Sequence, residues 1–190
     1  MQDEAGCAND AFEVEAVVLG PAEAAEKLEP WRKLTEMAAD VVWKTQTNRG
    51  GKLAVALLPG PSPTHHEAHR IVVGAYSPET HTVIIFVEGL DKVRRSRTYL
   101  QQMMRTLAHE TTHAVQHCRD PKSRPGRGSV MLDPESYRKD AHEQEAMREE
   151  AAFDHALFTH QPPPELAERA AAYRHNLTAD FVEQIHLLEN

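Results

Sequence analysis

Apolar and polar positions divide the chain into three regimes. Between about residues 21 and 47 the apolar residues recur at three- and four-residue steps. Trp31, Leu34, Ala38, Val41 and Val42 form one helical face, restarted by Pro30 and ended by Asn48-Arg49-Gly50-Gly51. Short β-branched runs then replace that period. Leu53 to Leu58 stops at Pro59-Gly60-Pro61, which predicts a strand. Ile71 to Tyr76 and Thr82 to Val87, joined by Ser77-Pro78-Glu79-Thr80, predict a β-hairpin. From about Thr98 the helical period returns. Thr98-Tyr99-Leu100-Gln101 fits a capping box, and Leu100, Met103, Met104, Leu107, Thr111, Ala114, Val115 and Cys118 make one long stripe.

Beyond that helix, Arg119 to Ser136 is rich in Pro, Gly and charge and reads as a loop. Asp140-Ala141-His142-Glu143 starts a second helix that reaches about Phe158, with Glu143 placed to complete a capping box with Asp140. Pro162-Pro163-Pro164 separates it from one or two further helices, whose buried faces are Leu166, Ala170 and Tyr173, then Phe181, Ile185 and Leu188. Residues 1–20 hold few core-forming side chains and read as an N-terminal arm with one short strand. Residues 21–190 read as a single α+β domain, in keeping with a chain of 190 residues.

Composition narrows the function. With 21 Lys+Arg against 29 Asp+Glu the net charge is −8, the wrong sign for non-specific binding to nucleic acid or to an anionic membrane. No apolar run approaches the roughly 20 residues of a membrane span, and the start is acidic where a signal peptide would be basic. A soluble, cytoplasmic protein is expected. Cys7 and Cys118 give neither a disulfide framework nor a thiolate zinc module, so any metal must sit on histidine and carboxylate. The 12 histidines make that worth asking.

Spacing answers for two of them. In His109-Glu110-Thr111-Thr112-His113, the second histidine falls about 40° from the first around a helix, so both imidazoles leave one face a turn apart and can share a zinc ion. Glu110 stands about 100° from His109, placed to take a proton from the attacking water without entering the coordination sphere. The apolar stripe lies on the other side of the same helix. His117 has drifted about 80° and points away from the ion, and His65, His66 and His69 fall in a Pro-flanked, solvated loop. The third ligand is sought on the second helix. Glu145 projects from a stripe of Ala141, Ala152 and Ala156, and a carboxylate there would need a partner; Glu149 is the reserve. Tyr137 and His142, just before or at the start of that helix, are candidates to stabilise an oxyanion.

A β-hairpin, a helix carrying His109-Glu110-Thr111-Thr112-His113 followed by Ala-Val-Gln, and a helix carrying Glu143-Gln144-Glu145-Ala146 together resemble a minimal gluzincin-type zinc metallopeptidase, similar in outline to the ImmA/IrrE-like peptidases. The resemblance spans about Ile71 to Phe158. It implies a zincin-like fold, with a small antiparallel or mixed sheet packed on the active-site helix, a second ligand helix and C-terminal helices. It also implies Zn2+ on His109, His113 and Glu145, and Glu110 as general base. The Thr82–Val87 strand would be a cleft edge that holds an extended peptide. Met147, Arg148 and Glu149 stand where the ImmA type has Asn and Phe-Ala. The expected function is therefore zinc-dependent hydrolysis of a protein or peptide substrate. The competing readings are a zincin-shaped binding or regulatory module without proteolysis, and an amide hydrolase of deformylase type, which would want a cysteine ligand.

Overall fold

The structure is a computed structural model and describes residues 12–60, 73–87, 99–122, 134–159 and 161–189. Alternation of apolar residues builds a four-stranded mixed sheet from β1 (Phe12–Val18), β2 (Gly51–Leu58), β3 (Gly74–Ser77) and β4 (Thr82–Phe86), in the order β1-β2-β4-β3. β1 and β2 run parallel, as do β2 and β4, while β3 and β4 form the antiparallel hairpin expected from the sequence. Leu53, Val55 and Leu57 of β2 and Val83 and Ile85 of β4 occupy alternate positions and are buried in one core with the helices. The strand foreseen in the N-terminal arm is β1. It pairs with β2 along its length, from Phe12 opposite Gly51 to Val18 opposite Leu57, so this part of the arm is integral to the sheet.

Helix α1 (Ala22–Gln46) runs unbroken through Pro30, where a restart was expected. Pro30 is exposed, so the carbonyl that loses its helical partner, that of Glu26, lies where water can replace it. Helix α2 (Tyr99–Arg119) buries every residue of the predicted stripe and adds Thr106, Ala108, Thr112, His113 and Gln116, because it is covered on more than one side. α1 and the sheet hold one side and α4 (Ala141–Phe158) another. Its Thr98 cap lies outside the described residues, as do His65, His66 and His69. The segment read as loop up to Ser136 contains a short helix, α3 (Pro134–Lys139), which carries Tyr137. Asp140 caps α4 as expected, accepting from the backbone N–H groups of His142 and Glu143. Two further helices, α5 (Pro164–Asn176) and α6 (Ala179–Glu189), complete the chain, α5 packing on α4 and α1. Among the described residues no helix is long and apolar enough to cross a membrane.

Candidate metal centre

Helices α2 and α4 lie side by side in opposite directions, and a ladder of polar pairs marks their seam. Gln101 donates to Asp154, Arg105 pairs with Glu150 and Asp154, His109 meets Glu150 and Glu143, and His113 meets Glu143. On α2 these residues recur every four positions, the period that returns a side chain to the same face. The sequence prediction that His109 and His113 share a face is realised at the middle of this ladder.

His109, His113 and Glu143 converge there, with one ligand atom from each lying within 4.8 Å of the others. His109 Nε2 is 3.2 Å from Glu143 Oε2 and 3.2 Å from His113 Nε2, and His113 Nε2 is 3.5 Å from Glu143 Oε1. The far side of each ring is also engaged. Nδ1 of His109 faces Glu150 Oε2 at 3.3 Å, and Nδ1 of His113 faces Gln116 Oε1 at 2.8 Å. Each imidazole is therefore tied at Nδ1 and directs Nε2 toward Glu143. Two ring nitrogens and a carboxylate at such separations repel unless positive charge lies among them, either protons or a cation. In the metal-free protein that role falls to protons. Burial opposes charge on His109, but hydrogen bonds to Glu143 and Glu150 outweigh it and push it up to about 10. His113 is raised against the same burial, chiefly by Glu143. Glu143, despite its burial, is held well below the usual carboxylate range by His109 and His113. Two imidazoles and one acid around a small volume form a donor set that could hold a metal ion.

The third member corrects the sequence reading. Glu145 turns away: it is 37% exposed, pairs with Arg119 Nη1 at 2.5 Å and accepts from Gln116 at 3.0 Å. Glu149, the reserve, is bound by Arg169 Nε at 2.7 Å and by the Tyr173 hydroxyl at 2.5 Å, on the side of α4 that meets α5. Glu143 was expected to close a capping box, but only its backbone N–H serves the cap and its carboxylate enters the seam. The imidazole of His142 does not join the group; His142 contributes a backbone carbonyl that accepts from Gln116 at 2.8 Å. Tyr137 does arrive. Its hydroxyl is 3.5 Å from His109 Nε2 and shares a hydrogen bond with Glu143. Burial first, then Glu143, raises its pKa, so it stays a phenol able to donate.

Glu110 lies beside the edge strand rather than in the ligand group. A Cβ built on Gly74 of β3 would collide with the Thr106 methyl and come within 3.1 Å of Glu110 Cγ, so the glycine lets the strand pass close to this acid. Burial raises the Glu110 carboxyl above its ordinary range, against the pull of His109 and His113. The expected cleft edge also moves by one strand. β4, containing most of the Thr82–Val87 run, is paired on both sides, by β2 and by β3, and has no free edge; β3 has one strand partner among the described residues. Cys118 is buried on the core stripe, disulfide-bonded and 3.9 Å from His81 Nε2, so it offers no thiolate ligand for a deformylase-type centre.

Sequence reasoning missed two supporting residues, Glu150 and Gln116. Glu150 stands seven residues from Glu143, two helical turns along nearly the same line, and Gln116 three residues after His113; both periods were available as signals. Compared with known protein families, curated proteins and solved structures, the chain gives no match.

Proposed function

We propose that the protein is a zinc-dependent peptide hydrolase, with zinc held by His109, His113 and Glu143. The observation that carries this is the convergence of those three side chains, with Nε2 of each imidazole directed at the carboxylate, next to a half-buried Glu110 whose carboxyl is raised. Zinc bound there would supply Lewis acidity, polarising a scissile carbonyl and making water more acidic. The remaining chemistry belongs to the chain. Glu110, whose carboxyl sits above its ordinary range, accepts the proton of the attacking water and returns it to the departing amine. Tyr137, kept protonated on α3, donates toward the oxygen on which negative charge develops. An extended peptide would pair with the β3 edge, which Gly74 brings against Glu110. A zincin-like arrangement and the gluzincin resemblance are consistent with this assignment.

The test separates a hydrolase from a binding module. The zinc-loaded chain and its Glu110→Gln variant are incubated with a peptide library and products are read by mass spectrometry. Cleavage by the wild type alone, with equal zinc content in both, supports the hydrolase. Equal cleavage by both, or none by either, removes it.

A further inference from the structure

Gln116 is buried, 3% exposed, one turn beyond His113 on α2. Its amide has an accepting end and a donating end, and the end that faces His113 decides which ring nitrogen carries hydrogen. Nε2 of Gln116 donates to the His142 carbonyl at 2.8 Å and to Glu145 Oε2 at 3.0 Å. A carbonyl and a carboxylate have no hydrogen to give in return, so the amide cannot be reversed without losing both bonds. Oε1 is thereby left facing His113 Nδ1 at 2.8 Å, and an amide oxygen can only accept. Glu145 is itself secured by Arg119, whose Nη2 donates to the Gln46 carbonyl at 2.9 Å.

We propose that Gln116 is a positioning residue for the metal ligand His113. It holds a ring proton on Nδ1 and so leaves Nε2, the nitrogen that faces Glu143, as the atom to ligate the ion, and its own amide is oriented by the His142 carbonyl and Glu145. The carboxylate that sequence alone suggested as a ligand thus acts through a glutamine on a ligand's far side. This rests on the reading of His109, His113 and Glu143 as a metal group, and it explains why a glutamine is buried at this point of the seam. A hydrogen-bonded partner of this kind fixes ring orientation and raises ligand basicity.

The experiment measures zinc affinity of the full chain by competition with a chromogenic chelator. In parallel, 15N spectra of the zinc-loaded protein with labelled histidines report the Nδ1 proton of His113. Wild type is expected to bind one zinc and to show that proton in slow exchange. Gln116→Leu should weaken zinc binding by roughly 10- to 100-fold and lose the slow proton. Gln116→Glu places a carboxylate against Glu145 and the His142 carbonyl and should also weaken binding. Adding Glu145→Gln to it restores a donor opposite the new carboxylate and should recover most of the loss. A mere tie between α2 and α4 would lower the melting temperature of the metal-free variants while leaving zinc affinity level. Zinc affinity of Gln116→Leu within about twofold of wild type overturns the assignment. Should that variant not fold, failure of Glu145→Gln to rescue Gln116→Glu overturns it instead. Failure of the wild type to take up zinc overturns the metal reading itself and the assignment with it.

Discussion

Two pairs of histidines meet across neighbouring parts of this fold, and their surroundings make them opposites. His109 and His113 face Glu143 and Glu150 in the seam between α2 and α4, where acidic neighbours favour positive charge. His81 and His117 meet on the sheet side of the same helix, with ring centroids 6.4 Å apart. No acid is among the partners shown around His81: the Tyr76 hydroxyl is 2.7 Å from its Nδ1, the Trp43 ring meets it edge-on, and Cys118 Sγ is 3.9 Å from its Nε2. Burial, then the nearby His117, holds His81 down at about 4. His113 and His117 are only one turn apart, yet one turn carries a side chain from an acid-lined seam to an aromatic pocket. An imidazole becomes a ligand through the company its second element supplies.

The comparison breaks most sharply on metal binding. His109→Ala or His113→Ala should abolish one-to-one zinc uptake, read by metal analysis after dialysis, while His117→Ala should leave it at one. Zinc retained by both seam variants would erase the distinction. Next in size is catalysis. Glu110→Gln should lower peptide hydrolysis by roughly 10²- to 10⁴-fold with zinc content unchanged, as expected for loss of a general base.

Stability against pH should then separate the clusters by direction. His81 has a folded value near 4, below the 6.5 of an unconstrained histidine, so its contribution is present above about 6.5 and is lost as pH falls through 4. At most about 3 kcal/mol is at stake, from the size of that displacement. His109 in the metal-free protein is displaced upward to about 10, so its contribution is complete below 6.5 and fades as pH rises through 10. Thermal melts of the metal-free protein should therefore weaken toward both ends. His81→Phe should flatten the acid limb and leave the alkaline one, whereas His109→Asn should flatten the alkaline limb and, because His109 also holds Glu143 low, soften the acid one; an unchanged alkaline limb in His109→Asn would contradict the opposition. The smallest effect is expected from Glu145→Ala, since the His142 carbonyl still orients Gln116: zinc affinity should drop only a few-fold, well short of a lost ligand.

Much of this architecture was legible because it is periodic. The α2 stripe, the hairpin with its turn at Ser77–Thr80, the Asp140 cap and the shared face of His109 and His113 all follow from local spacing. The third carboxylate was not. Around α4, Glu143 and Glu145 stand about 80° to either side of Phe153, the largest side chain of the buried face. Periodicity identifies that face but is symmetric about it, so it cannot say which flank meets α2 and which turns to solvent and Arg119. The strand order has the same character. The Thr82–Val87 run gives no sign that β2 will lie along its far side, leaving β3 rather than β4 at the edge.

What the sequence determined by itself was the chemistry on offer: two imidazoles one turn apart, an acid beside them, no thiolate to compete, and a second helix bearing several carboxylates. Helical and strand periods are properties of the local backbone, and a single chain displays them directly. Only the tertiary structure decided that Glu143 completes the group, that Glu145 serves Gln116, that Glu149 belongs to Arg169, and that His117 sits among aromatic rings. Those choices depend on how α4 is rotated against α2 and on which strand closes the sheet. They are relations between distant segments, set by the packing of the whole core, and no window along the chain contains them.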